Sequence, residues 1–298
     1  MDLDIDGVRI ARERADLALR PGERQLAGGT FLYSEPVPAG VTGLVDLLGL
    51  DWTPWTMSDG GPGRGGAGSG GLDVAATCTI ATLRDRAAEA AGQYPGLRLV
   101  APCVSAFLLS FKVAHTATVG GNLCLGLPAG PMAALFATLD GTAEIWTPDG
   151  ARTEPVSDLI TGPGITTLTP GEVLRAVHVP PAGLEARTAA RKLSLTDFGR
   201  SAVLITAAVF GPVAESSGAE GFPPQLPAPP GTAGATVRIV VTASVPRPVV
   251  LRIPAGDHDA LDRAVDRITD WYDDPHGAPD WRAAMTRRLT HEVLEELS

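Results

Sequence analysis

Residues 115–131 read HTATVGGNLCLGLPAGP, and the reading of the chain turns on the adjacent Gly120 and Gly121, with Asn122 behind them and the β-branched Thr118 and Val119 in front. A Gly-Gly pair at the end of a strand frees the backbone for positive φ and lets another group come close to the main chain. Two readings fit: a tight turn punctuated by Gly and Asn, or a loop whose bare N–H groups cradle an anion such as a phosphate. A second stretch of the same form, RQLAGGTFLYSEP at residues 24–36, sets Ala27, Gly28, Gly29 and Thr30 after a short apolar lead. One such loop needs no more than a turn. Two that converge can hold both phosphates of a dinucleotide with main-chain donors and small hydroxyls, without a basic residue.

That economy suits the composition. The chain has 298 residues, 44% hydrophobic and 19% charged, with a net charge of -10. It is globular and long enough for two domains, and its acidity excludes a broad nucleic-acid footprint. The early arginines Arg9, Arg12, Arg14, Arg20 and Arg24 alternate with Asp and Glu and read as a solvated surface. The N-terminal stretch shows no secretory pattern, and the greasiest run, Leu99–Phe111, is too short and too broken for a membrane span, so a cytoplasmic soluble protein is expected. Cys78, Cys103 and Cys124 are odd in number and far apart, and the five histidines lack ligand spacing. No metal site is expected, and the thiols read as buried.

Two stretches read as loops: the Gly-rich 58–71 and the Pro/Gly-rich 211–235. The first contains a formal G-x-G-x-x-G at Gly61, Gly63 and Gly66, which lacks the entering strand and leaving helix of a dinucleotide fingerprint. Helical pattern is read at 80–92, 102–112, 130–140, 201–208, 257–272 and 280–297, the last with Asp280 as N-cap. Strands are read at 25–27, 72–76, 142–146, 172–179, 203–210 and 236–245, so residues 201–208 carry both patterns. The class is α+β, with a break near Pro180–Gly183.

AGGT near the N-terminus and ATVGGNLC some ninety residues later resemble the FAD-binding domain of the molybdopterin-dehydrogenase family, the flavin subunits of carbon monoxide dehydrogenase, xanthine dehydrogenase and related molybdenum hydroxylases. The resemblance runs on through LDVAATCT, PMAALFATLDGTAEIW, LTPGEVLRAVHVPP, ARKLSLTDFGRSAVLITAAV, VRIVVTASVPRPVVL and DWRAAMTRRLTHEVLEEL. It implies an FAD-binding domain of the p-cresol methylhydroxylase type over residues 1–180, with α+β subdomains at about 1–57 and 72–180, and a smaller C-terminal α+β domain over 184–298. It implies pyrophosphate contacts from Ala27, Gly28, Gly29, Thr30, Phe31 and Leu32, and from Thr118, Gly120, Gly121 and Asn122. Ala76 and Thr77 match a segment beside the cofactor, Leu168 a residue near the flavin ring, and Lys192 a basic position close to it. Read from residue type alone, Leu168 is equally ordinary core and Lys192 equally a solvated charge.

The resemblance also implies partners: a molybdopterin-binding large subunit and a [2Fe-2S] small subunit, with NAD or a small molecule as electron acceptor. No catalytic side chain is assigned, and no nucleophile motif competes. The chain departs from the family pattern at Gly130, where a carboxylate is usual, at Ala114 and His115, and at Thr196 and Gly199. Those departures leave two alternatives: a stand-alone FAD-dependent oxidoreductase acting on a small molecule, or a binding module with a degraded flavin site.

Overall fold

The computed structural model describes residues 5–34, 39–58, 70–197, 199–210 and 235–298. Strands β1 (Gly7–Ile10), β2 (Glu23–Leu26) and β3 (Gly43–Asp46) form a small parallel sheet with β3 in the middle. Strands β4 (Trp55–Ser58) and β5 (Gly71–Ala75) then open an antiparallel sheet. Five helices follow: α1 (Ile80–Ala90), α2 (Val100–Ala106), α3 (Phe111–Ala114), α4 (Val119–Leu125) and α5 (Pro131–Thr138). Next come β6 (Thr142–Thr147), β7 (Gly150–Pro155), α6 (Val156–Leu159), the pair β8 (Ile160–Gly162) and β9 (Ile165–Thr166), and β10 (Val173–Val179). Strand β10 lies in the centre of the order β4-β5-β10-β6-β7. After α7 (Pro181–Glu185), the strands β11 (Arg187–Leu193), β12 (Val203–Phe210), β13 (Thr236–Thr242) and β14 (Val249–Pro254) make an antiparallel meander, closed by α8 (His258–Asp266) and α9 (Pro279–Leu297).

Local chemistry sets most of these boundaries. The Thr79 hydroxyl accepts from the amide of Thr82 at 3.1 Å to start α1, which turns Ile80, Leu83 and Ala87 into the core. Strand β12 is buried at seven consecutive positions, Val203–Val209. Its odd-numbered residues join the core under α8 and α9, while Leu204 packs with Ala134 of α5. A strand apolar on both faces carries no alternation, so the helical reading of 201–208 was wrong and the strand reading of the same residues stands.

Other helices are shorter than their patterns. The 102–112 segment breaks at Phe107, whose extended φ and ψ end α2 before α3 begins. Helix α8 stops at Asp266 rather than Tyr272. The N-cap of α9 is Ala278, with Pro279 at the first helical position; the Asp280 carboxylate instead accepts from the amide of Trp281. The G-x-G-x-x-G at 61–66 and the body of the 211–235 loop lie outside the described residues.

The C-terminal meander is pinned by a fully buried guanidinium. Arg282 of α9, 1% exposed, donates to the carbonyls of Ala202 and Gly277 at 2.8 Å, and also to Ala243 O and the Asp274 carboxylate. Ala243, held by this contact, has φ of 66°, and its amide reaches Pro128 O at 2.7 Å. Removing the guanidinium strands a carboxylate and three carbonyls, which costs about 3–5 kcal/mol. Arg282→Met is therefore expected to lower the unfolding free energy by about that amount in urea titrations, and Arg282→Lys to recover only part of it, since an ammonium lacks the planar fork.

Candidate functional site

The two glycine loops meet. Gly28 lies so close to the carbonyl of Thr116 that a Cβ there would sit inside that backbone. Gly29 has φ of +69° beneath the ring of Tyr33, so it too admits no side chain. Between them, the loops border a cavity of about 670 Å³, a size that accommodates most of a drug-sized or cofactor-sized molecule. Ala27, Gly28, Gly29, Thr30, Phe31 and Leu32 line it from the first loop. Thr118, Gly120, Gly121 and Asn122 line it from the second, and Ala76, Thr77 and Leu168 complete the expected set. Lys192, on β11 opposite Leu204, is not part of the lining, and Leu168 also packs on the main core.

The loops contribute differently. Gly120 and Gly121 sit in the first turn of α4, neither with positive φ, rather than at a strand end. The amides in that turn are already engaged: Gly120 with Ala76 O at 2.8 Å, Gly121 with the Thr118 hydroxyl at 3.0 Å, Asn122 with Thr118 O at 3.1 Å. The expectation of bare N–H groups at 118–122 thus fails, because the Ala76 carbonyl and the first turn of a capped helix consume them. The glycines serve space instead. A Cβ on Gly120 would lie 2.8 Å from Ala76 O and 3.0 Å from Ala76 Cα, so this residue lets α4 press against the β5 turn. A Cβ on Gly121 would meet the Thr118 hydroxyl at 2.9 Å and nothing else. Absent side chains at 121 therefore leave volume to the cavity.

The first loop holds the free donors. The amides of Gly28, Gly29, Thr30, Phe31 and Leu32 have no hydrogen-bond acceptor among the described residues; the loop closes through Tyr33 N to Gly29 O at 2.8 Å and Ser34 N to Phe31 O at 3.0 Å. Consecutive unpaired N–H groups at the wall of a cavity form an anion-binding concavity.

Three features of the lining escape a sequence reading. Arg24, expected as a solvated charge, lines the cavity and has no ion-pair or hydrogen-bond partner among the described residues. It shares a strand face with buried Leu26, two residues on, which was the available signal. Asn122 is turned to structure: its Oδ1 accepts from Met132 N at 3.2 Å, capping α5 in place of Gly130. Gly130 itself has φ of -70° and is extended, so the departure there is a missing side chain and not a special backbone. Third, Phe107 and Leu109 line the cavity from the α2–α3 connection and Val113 from α3, in a mostly apolar run that gave no hint of a rim. Cys124 also lines it, whereas Cys78 and Cys103 are buried, and burial pushes the Cys78 thiol up to about 12.

The carboxylate in the lining is committed elsewhere. Glu172 binds Arg152 Nε at 2.7 Å and accepts from Thr169 N at 2.8 Å, and the guanidinium holds its pKa down at about 2. Among the described residues no group of three or more His, Cys, Asp or Glu is arranged to hold a metal ion, and no helix is long and apolar enough to cross a membrane.

Comparison with known proteins places this geometry. Residues 67–182 match the family model described as the FAD binding domain in molybdopterin dehydrogenase. A xanthine dehydrogenase FAD-binding subunit of Escherichia coli O157:H7 is 37% identical over 70 residues, 24% of each chain. The carbon monoxide dehydrogenase medium chain of Afipia carboxidovorans is 30% identical over 102 residues, 34% of this chain and 35% of its own. The matched stretches thus span about a quarter to a third of these relatives. The fold extends further: the reconstituted CO dehydrogenase from Oligotropha carboxidovorans superposes with a TM-score of 0.76 at 22% identity, covering 100% of this chain and 99% of that one. Quinoline 2-oxidoreductase from Pseudomonas putida 86 gives 0.73 at 20% identity, covering 100% and 98%. The chain resembles this family in sequence over its centre and in fold from end to end.

The Glu172 pair makes stability depend on acid in a defined sense. Its folded pKa lies below the unfolded value of about 4.3, so the stabilisation is complete above that value and is lost as pH falls towards about 2. Unfolding midpoints measured from pH 7 downwards are expected to fall across this window, and Glu172→Gln to lower stability at pH 7 while flattening the acid limb.

Proposed function

We propose that this chain is the FAD-binding subunit of a molybdenum hydroxylase-type oxidoreductase. The observation that carries the reading is the meeting of two small-Gly-Gly loops on one cavity, with the Gly28–Leu32 amides unpaired and the wall at Gly121 bare. A pyrophosphate fits that chemistry: it accepts several N–H bonds at once and demands close approach of the backbone. In this reading the first loop binds the diphosphate, Arg24 adds a cation at its edge, and α4 shapes the wall through Gly121. Leu168, with Phe107 and Leu109, shields the apolar part of the ligand from water. When bound, the flavin supplies the capacity to take up electrons from one carrier and pass them on to another. The protein's own task is to bind, orient and desolvate it.

The matched relatives are named a FAD-binding subunit and a medium chain, which supports assembly with other subunits; the proposal extends to a molybdopterin-binding large subunit, a [2Fe-2S] small subunit and NAD or another acceptor, as the sequence resemblance implies. The same reading assigns residues 1–180 to the cofactor and 184–298 to the domain that closes beside it, in the cytoplasm. Lys192 is not among the lining residues, and the proposal gives it no role.

Titration of the purified chain with FAD, followed by quenching of flavin fluorescence, tests the core of the proposal. Gly121→Val is expected to weaken FAD binding by at least tenfold, about 1.4 kcal/mol, because its side chain enters the cavity, and to lower the melting temperature slightly because its Cβ crowds the Thr118 hydroxyl that caps α4. Gly120→Val is expected to lose stability and binding together, since its side chain enters the backbone at Ala76. Parent-like FAD affinity in Gly121→Val refutes the assignment.

A further inference from the structure

The C-terminal meander has an unfinished side. In the order β11-β12-β13-β14, strand β14 is an edge, hydrogen-bonded to β13 alone. Among the described residues, no backbone group of Val249–Ile253 bonds to anything beyond that ladder. Along this edge runs a groove of about 380 Å³, separate from the glycine-loop cavity, between β14 and the end of α8. It is lined by Arg247, Arg252 and Arg267 together with Val250, Leu251 and Ile268.

The three arginines are the unusual feature. The chain carries a net charge of -10, and many of its guanidiniums are committed: Arg9 to Glu23, Arg152 to Glu172, Arg191 to Glu292 and Glu296, Arg287 to Asp262 and Asp266. Arg247, Arg252 and Arg267 are exposed and form no ion pair or hydrogen bond among the described residues, and the groove holds Asp270 as its sole carboxylate. Arg252 stands opposite Arg238 in the ladder, a like-charge pair that costs stability rather than adding to it; burial is the main cause that lowers the Arg238 pKa, and the Arg252 charge adds to it against Asp140, which raises it. Three cations are thus gathered, at a cost, around a row of unpaired peptide groups.

We propose that this edge receives an extended, acidic segment of a partner protein, added to the sheet as a fifth strand. Main-chain hydrogen bonds to β14 supply the affinity, and the arginines select carboxylates on the incoming segment. The six residues of β14 span about 20 Å, enough to pair with four to six partner residues. Because strand residues alternate, a segment with glutamates at every second position presents them to the face where Arg252 stands beside Val250, and its apolar residues to the other face, where Leu251 packs with Ile268. The proposal is independent of the flavin site.

Charged side chains and prolines also guard sheet edges against association, and Pro248 and Pro254 flank this one. The two roles separate in one experiment. A fluorescein-labelled heptapeptide alternating glutamate and valine is titrated with the full chain, and anisotropy is followed. Controls are the same peptide with lysine for glutamate, and a version N-methylated at alternate residues, which cannot donate to the edge. Saturable binding of the acidic peptide is expected, at least tenfold weaker for either control and for the Arg252→Ser/Arg267→Ser double variant, whose melting temperature is checked in parallel. Equal binding of the N-methylated peptide, or full displacement by inorganic pyrophosphate at equimolar charge, overturns strand addition in favour of simple anion binding. Absence of binding by the parent, or a double variant that self-associates with unchanged peptide affinity, overturns the docking role and leaves the arginines as guards.

Discussion

Helix α5 is buried at all eight of its positions, so neither of its ends can turn to water for hydrogen bonds. The chain must supply every partner, and it does so from both halves of the molecule. At the N-terminal end, Asn122 reaches from α4 to accept the Met132 amide. Towards the C-terminal end, Thr138 bonds back to Ala134 O at 2.8 Å and meets the Thr206 hydroxyl at 2.6 Å, and Arg238 of β13 donates to Ala137 O at 3.2 Å and to Asp140. One short apolar helix therefore fixes the cavity wall and the C-terminal sheet in a common frame. Each unmade bond at such an end costs about 1–3 kcal/mol, which is why polar residues that look available in sequence are spent here.

This constraint explains what was and was not legible. The glycine loops, the α+β class and most strand cores were readable, because glycine pairs and β-branched runs report local backbone requirements directly. The fate of the amides was not. Whether an N–H is bare depends on where Thr118 stands in a helix that the glycine pair itself disguises, and the disguise holds because Gly120 is there for the contact with Ala76, forty-four positions earlier in the chain. Asn122 was correctly placed at the cavity yet misread in role, since its partner Met132 is ten residues away on another helix. Arg24 is exposed, as its place among interleaved acids implies, and only the arrangement of the sheet sets it at the rim of the cavity. Strand β12 defeated periodicity because both of its faces are covered.

Strain gathers at the junction rather than in the cavity. Ala243 adopts a left-handed conformation that costs an L-residue about 1–2 kcal/mol, and it is held there from two sides, by Pro128 O and by Arg282. Pro128 belongs to the connection between α4 and α5, next to Leu127 in the cavity lining. The buried guanidinium thus acts over a short chain of contacts on the segment that carries Gly130. An unfavourable backbone is tolerable where three independent elements, α9, β13 and the α4–α5 connection, all require it.

Electrostatics then limits how an anion can be held. At physiological salt, fields are screened beyond about 8 Å, so the surplus of negative charge spread over the surface matters little inside the cavity. What acts there is close at hand. Glu172 is neutralised by Arg152, leaving Arg24 as the uncommitted charge of the described lining, beside five unpaired amides. Amide dipoles fixed by the fold need no reorganisation when an anion arrives, and they fall off too steeply to attract anions to the rest of the surface. In the proposed reading the diphosphate is therefore held by short-range donors and one guanidinium rather than by a cluster of cations.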